Sequence, residues 1–141
     1  MKTEFLRLKL ISPLLYISDE AIEPFSYAPG SGERLFCFEL DKKHAQEFEP
    51  DISHFPGSLI CSGRETDGKS KGTILGLSKG DYIFTQVPDI LNREEVVLLA
   101  MDLQNEGLWQ RLELAPLYYL RYLSEDNHGV TQLFRPCISA D

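Results

Sequence analysis

Residues 63–70, which read GRETDGKS, combine residue types and a spacing that suggest chemistry on phosphate groups. Gly63 and Gly68 are separated by four residues, and Lys69 and Ser70 follow directly. In this pattern the glycines let backbone N–H groups wrap a phosphate, the lysine reaches the β- and γ-phosphates, and the hydroxyl ligates Mg²⁺. One hypothesis is therefore that the segment holds a Mg-nucleotide.

Over these eight residues of 141, the chain resembles the P-loop NTPase family. The resemblance implies a phosphate site made by four residues: Gly63, Gly68, Lys69 and Ser70. It also implies a buried strand before the motif and a helix after it. That helix would contain Gly72 and Gly76, each costing about 1 kcal/mol relative to alanine. We therefore favour the interpretation that residues 62–72 are the exposed turn of a β-hairpin, with no bound cofactor.

The remaining residues with catalytic or metal-binding potential form no recognisable constellation. The histidines lie in predicted loops without HxH or HExxH spacing, so no metal site is predicted. No nucleophile elbow of the form GxSxG occurs. We predict no catalytic residue and lean towards a protein that is not an enzyme.

The three cysteines, Cys37, Cys61 and Cys137, have unrelated spacings and include no CxxC pair. Each lies in or beside an apolar run, where a thiol behaves as a small hydrophobic group. We interpret them as reduced thiols and expect a cytoplasmic location. No apolar run approaches the ~20 residues that a membrane span requires.

A second candidate site involves the predicted C-terminal hairpin. Arg121 and Arg135 lie on its two arms and, beside Tyr119, could form a surface for an anion or a peptide. The alternative is that both arginines lie over tyrosine rings. Trp109 is interpreted mainly as a core residue, with an exposed interaction residue as the alternative.

Composition bounds the class of protein and of partner. The chain is 43% hydrophobic and 26% charged, as expected of one folded domain over residues 1–141. Its net charge of −8 argues against broad binding to nucleic acid or to an anionic membrane. The same charge is compatible with a basic protein partner.

One strong helical pattern covers residues 92–106. Asn92 and Glu95 have capping-box spacing, and apolar residues recur at Val96, Leu99, Ala100 and Leu103. Gly107 is the expected left-handed residue at the C-terminal end.

Alternating apolar residues predict strands in most of the remaining chain. The predicted strands cover residues 4–11, 34–40, 58–61, 82–87, 108–114, 117–123 and 130–135, with 14–17 as a bent or edge segment. Residues 18–33 are expected to form a mobile or partner-facing loop, and residues 41–48 one or two helical turns. We predict an α+β fold: a mostly antiparallel, curved or barrel-like sheet of about six to eight strands, with the helix packed on it.

The first functional hypothesis is a non-enzymatic binding or regulatory protein that has a protein partner or associates with itself. The second is nucleotide binding by residues 63–70. The third is a small β-barrel that holds a ligand among its tyrosines and phenylalanines.

Overall fold

The computed structural model describes residues 3–19, 23–65, 72–125 and 128–138 as one helix packed on an eight-stranded sheet. The strands are β1 (Phe5–Leu10), β2 (Leu14–Ser18), β3 (Arg34–Glu39), β4 (Ser58–Arg64), β5 (Ile74–Leu77), β6 (Gly80–Val87), β7 (Leu117–Glu125) and β8 (His128–Pro136); the helix is α1 (Arg93–Trp109), and Ile52–His54 forms a 3-10 turn. The strand order is β1-β6-β8-β7-β3-β4-β2-β5, and every pairing is antiparallel. The predicted α+β fold with one principal helix is confirmed.

The sheet curls into a half-barrel. Leu10 of β1 and Leu77 of β5 belong to opposite edge strands, yet both pack in one apolar cluster. They can meet only if the sheet bends towards the face on which they lie. We call this face, lined by Leu10, Tyr16, Leu35, Leu77, Tyr82, Tyr119 and Phe134, the concave face.

The other face of the sheet packs against α1 and forms the larger core. Strands β6, β7 and β8 contribute Ile83, Leu120 and Leu133, none of which is accessible to solvent. From the helix, Val96 and Leu103 complete this layer. Strand β7 is covered on both faces and paired on both sides, which explains why its sequence is apolar in both alternating sets.

The start of α1 agrees with its sequence signal. The Asn92 side chain accepts a hydrogen bond from the Glu95 backbone N–H at 2.9 Å, and the Glu95 carboxylate accepts one from the Asn92 N–H at 3.1 Å. This reciprocal pair is a capping box, and it satisfies two donors that the helix itself leaves free.

The end of α1 differs from the prediction. The helix continues to Trp109, and Gly107 lies inside it, where a Cβ atom would come within 2.9 Å of the Leu114 side chain. The left-handed residue is Arg111, with φ of 61°. The Arg111 N–H donates to Leu108 O and the Leu112 N–H to Gly107 O, which is the Schellman arrangement.

The predicted strand over residues 108–114 is therefore wrong, because most of these residues complete the helix and the turn after it. Only Leu114 keeps a strand-like partner, in an isolated bridge to Cys137. The role expected for Gly107 at the cap is wrong for the same reason.

Replacing Arg111 with glycine is expected to stabilise the fold. Glycine adopts the left-handed conformation without the steric penalty of a Cβ atom, so Arg111→Gly should raise the free energy of unfolding by about 0.5–1 kcal/mol. Urea denaturation of the variant and the parent measures the change. Arg111→Ala is the control, since it removes the same side chain and keeps the Cβ atom; equal stabilities of the two variants would contradict the explanation.

Three further expectations are corrected. Strand β2 is not an edge segment, because it pairs with β4 on one side and β5 on the other. Residues 41–48 form turns and not a helix, since the Asp41 carboxylate accepts the Lys43 N–H in a local turn. The loop before β3 is packed rather than free in its described part: Tyr27 is buried and stacks on Tyr122 with ring centroids 5.2 Å apart.

Candidate functional site

The segment that resembles a phosphate loop begins inside a strand. Gly63 is paired in β4 with Leu35 of β3 and Ser18 of β2. A Cβ atom at this position would lie 2.9 Å from the Ile17 carbonyl oxygen, so close strand packing accounts for the glycine. The other residues of the predicted phosphate site, Gly68, Lys69 and Ser70, lie outside the described residues.

The elements around the segment differ from those of a P-loop protein. Strand β5 occupies residues 74–77, where the resemblance requires a helix. The hairpin interpretation is wrong as well, because β4 and β5 do not pair with each other; β2 lies between them. The described surroundings therefore give no support to a nucleotide site.

Arg135 and Arg121 lie on opposite faces of the sheet and do not form a common surface. Arg135 points towards α1 and is 1% exposed. Its guanidinium donates to Ala115 O at 2.7 Å, Gln104 Oε1 at 2.9 Å and Ala45 O at 2.9 Å. Burial lowers the pKa of Arg135 to about 10. This arginine is a structural residue of the core and is not available to a ligand.

Arg121 lies on the side of the concave face, as does Tyr119, in a network of side chains from several strands. Its guanidinium donates to Glu33 at 2.9 Å, to Gln132 Oε1 at 2.9 Å, and to the Tyr16 hydroxyl. The Tyr16 hydroxyl in turn donates to Glu33 at 3.0 Å. Because all three guanidinium nitrogens are engaged, this network joins strands and presents no free anion site.

The concave face is filled by its own side chains. Tyr16, Leu35, Leu77, Tyr82 and Phe134 are each at most 3% exposed, and the Tyr82 and Phe134 rings meet edge to face. Such packing does not favour the third hypothesis, in which the aromatic interior holds a small ligand.

The outer side of α1 carries the most notable unpartnered surface of the described residues. Trp109 is 77% exposed, which corrects its interpretation as a core residue, and its ring meets Phe48 edge to face with centroids 6.2 Å apart. Leu98 and Ile52 are also more than half exposed. We call the surface formed by Phe48, Ile52, Leu98 and Trp109 the α1 groove.

The α1 groove consists of two depressions spaced along the helix axis. Leu98 and Trp109 are eleven residues apart, which corresponds to about three turns and about 16 Å. Phe48, Glu49 and Asn105 line a depression at the Trp109 end, and Ile52 lines one beside Leu98. Val97 and Phe55, which are both buried, line the depression beside Leu98.

The wall opposite the helix is fixed by hydrogen bonds to side chains of α1. The Gln104 side chain is fully buried and donates to His44 O at 3.0 Å and Glu47 O at 2.8 Å. The Glu49 N–H donates to Asn105 Oδ1 at 2.6 Å. Because the segment that carries Phe48 is held to α1 in this way, the groove is largely formed before any partner binds.

The rim of the groove is acidic. Residues 48–55 carry Glu49 and Asp51, and α1 carries Glu94, Glu95, Asp102 and Glu106, against a single arginine, Arg93. Burial raises the pKa of Asp102 above its usual value, and hydrogen bonds from Ser53 lower that of Asp51. The groove therefore combines apolar contact area with negative potential.

Sequence reasoning missed three of the four apolar residues of the groove, Phe48, Ile52 and Leu98. One signal was present: residues 96–101 are six consecutive apolar residues, and a helix packed on one side must expose part of such a run. No comparable pattern marks Phe48 and Ile52, whose loop positions depend on contacts with α1.

Among the described residues, no group of three or more His, Cys, Asp or Glu side chains is arranged to hold a metal ion. Within that same part of the chain, no helix has the length and apolar character needed to cross a membrane.

Comparison with known proteins adds no functional assignment. No protein-family model matches the chain, and no curated protein matches its sequence.

Proposed function

We propose that the protein is a non-enzymatic, cytoplasmic binding protein whose α1 groove receives an amphipathic helix with basic flanks from a partner protein. The observation that carries the proposal is the exposed row of Phe48, Ile52, Leu98 and Trp109. Exposed apolar side chains that lie next to one another are typical of sites where a soluble domain meets a partner.

The shape of the groove favours a helical occupant. An amphipathic helix binds in a groove through apolar side chains at positions i, i+3 or i+4, and i+7. Two depressions spread over about three helical turns match that spacing. The aromatic pair Phe48 and Trp109 supplies the kind of anchor that dominates binding energy at such interfaces.

The charge of the rim favours a basic partner. With six carboxylates against one arginine on the two segments that form the groove, a flank of lysine or arginine is attracted and an acidic flank is repelled. The same charge opposes self-association through this face, because two copies would bring two acidic rims together.

A designed peptide tests the proposal directly. The probe is a fluorescein-labelled amphipathic helix of about four turns, with leucines on one face and lysines on its flanks. We expect micromolar binding in fluorescence anisotropy, accompanied by a change in Trp109 emission, and weaker binding as salt is raised. A matched peptide with glutamate in place of lysine should bind at least tenfold more weakly.

Variants locate the binding site. Leu98→Ala and Trp109→Ala should each weaken peptide binding by about tenfold or more, since central apolar anchors are worth over 1 kcal/mol. Ile11→Ala is the matched control, because Ile11 is 82% exposed in the link between β1 and β2 and should leave binding unchanged.

Charge reversal separates specific recognition from general attraction. The double variant Glu49→Lys/Asp102→Lys should weaken binding of the lysine-flanked peptide. Glu4→Lys, which lies ahead of β1, should have little effect on that binding. The proposal is wrong if neither peptide binds at millimolar concentration. It is also wrong if sedimentation shows that the chain forms dimers that Trp109→Ala disrupts, since the groove would then be a self-association surface.

A further inference from the structure

Two cysteines face each other across neighbouring strands. Cys37 of β3 and Cys61 of β4 are direct partners in the antiparallel ladder, and both are free thiols. Directly opposed residues in such a ladder have Cα atoms about 4.5–5.5 Å apart and side chains on the same face. A disulfide spans Cα separations of about 4.4–6.8 Å, so the backbone already has the spacing that a bond between these sulfurs needs.

The surroundings give the pair one accessible and one sheltered sulfur. Cys61 is half-buried, whereas Cys37 is only 3% exposed. The register shifts immediately after Cys37, between it and Phe38, so the ladder is irregular at this point and can absorb a small adjustment. Cys137 is also half-buried, but its bridge partner is Leu114 and not a cysteine.

We propose that Cys37 and Cys61 form a redox modification site, at which a peroxide converts the two thiols into a disulfide that joins β3 to β4. The Cys61 thiolate attacks one peroxide oxygen and the O–O bond breaks, which yields a sulfenic acid and, after protonation, water. The Cys37 sulfur then attacks the sulfenic sulfur, so that the S–S bond forms and a second water leaves. One peroxide is reduced to two waters while two thiols lose two electrons.

The reaction is slow at neutral pH and faster in alkali. Burial raises the pKa of the Cys61 thiol, which keeps the reactive thiolate scarce at pH 7. The Cys37 sulfur is sheltered from solvent, and its nearest reaction partner is the opposed sulfur of Cys61. It therefore attacks the Cys61 sulfenic acid before a second peroxide can oxidise that acid further. A dithiol reductant restores both thiols.

Mass spectrometry tests the site. The folded protein is treated with hydrogen peroxide at two pH values, alkylated with iodoacetamide and digested. We expect the mass of the protein to fall by two hydrogen atoms, a reducible pair of peptides containing Cys37 and Cys61, and alkylation of Cys137 alone. The melting temperature of the oxidised protein should lie several degrees above that of the reduced form. Cys137→Ser should behave like the parent, and Cys61→Ser should form no disulfide.

Three results would overturn the proposal. The first is Cys61 in its sulfinic form with Cys37 still able to be alkylated. The second is a disulfide between two chains. The third is full retention of both thiols under excess peroxide when the urea-unfolded chain oxidises readily.

Discussion

Arg135→Ala is expected to lower the free energy of unfolding by about 3–5 kcal/mol, a large share of the total stability of a domain of this size. The substitution removes a fully enclosed side chain, leaves a cavity, and strips hydrogen bonds from Ala45 O, Ala115 O and Gln104 Oε1. It also releases the loop that carries Phe48, because Arg135 and Gln104 together hold that loop against α1. Urea denaturation followed by far-UV circular dichroism gives the change.

Three further variants test this prediction. Arg7→Ala removes an exposed arginine of β1 and should change stability by less than about 0.5 kcal/mol. Gln104→Ala should be destabilising too, and its combination with Arg135→Ala should cost less than the sum of the two single changes, since both residues belong to one network. Strict additivity would show that the network does not act as a unit.

A steep loss of stability above pH 10 is the second large effect that we expect. Burial raises the pKa of Tyr16 to about 12, and burial also raises the pKa values of Tyr118, Tyr119 and Tyr122 well above the ordinary value of 10. Above pH 10 the unfolded chain therefore loses phenolic protons that the folded chain retains. Ionisation then favours unfolding, and each such group lowers the free energy of unfolding by about 1.4 kcal/mol for each pH unit.

Arg135 acts in the opposite direction. Its pKa is lowered to about 10 in the folded state, so above that pH the unfolded chain holds a proton that the folded chain has lost. This one group offsets about 1.4 kcal/mol per pH unit, and the tyrosines still dominate.

Urea midpoints measured between pH 9 and pH 12 test this balance, with phenolate absorbance recorded alongside. Tyr118→Phe should reduce the slope by about 1.4 kcal/mol per pH unit, after correction for its lost hydrogen bond to Pro56 O. Ionisation of Tyr16, Tyr118 or Tyr122 near pH 10, before the fold is lost, would contradict the prediction.

The parts of the fold that follow from local sequence signals were predictable. The reciprocal spacing of Asn92 and Glu95 indicates the start of α1 because both partners lie within four residues. The two-sided apolar pattern of β7 indicates a central strand, since only a strand covered on both faces buries both sets of side chains. These signals need no knowledge of distant contacts.

The parts that depend on long-range contacts were not predictable from one sequence. Arg111 takes the left-handed position because Gly107 is needed for close packing against Leu114, and that contact is visible only in the fold. The two arginines of the candidate anion surface lie on opposite faces. Arg121 pairs with Gln132, and because side chains alternate along a strand, Arg135, three residues further on, faces the other way. The α1 groove depends on how residues 48–55 lie against α1, and no local sequence pattern indicates that arrangement.

The strand order has a consequence for how the chain folds. Without β7 and β8, the sheet consists of two separate ribbons, β1-β6 and β3-β4-β2-β5. The hairpin of β7 and β8 follows all the other strands in the chain and is the piece that joins them. Neither ribbon can therefore complete its core until the hairpin arrives, and the loops to be closed are long. Such topologies fold in milliseconds to seconds and expose unpaired strand edges while they do so, which makes the time before the hairpin docks the interval of greatest aggregation risk.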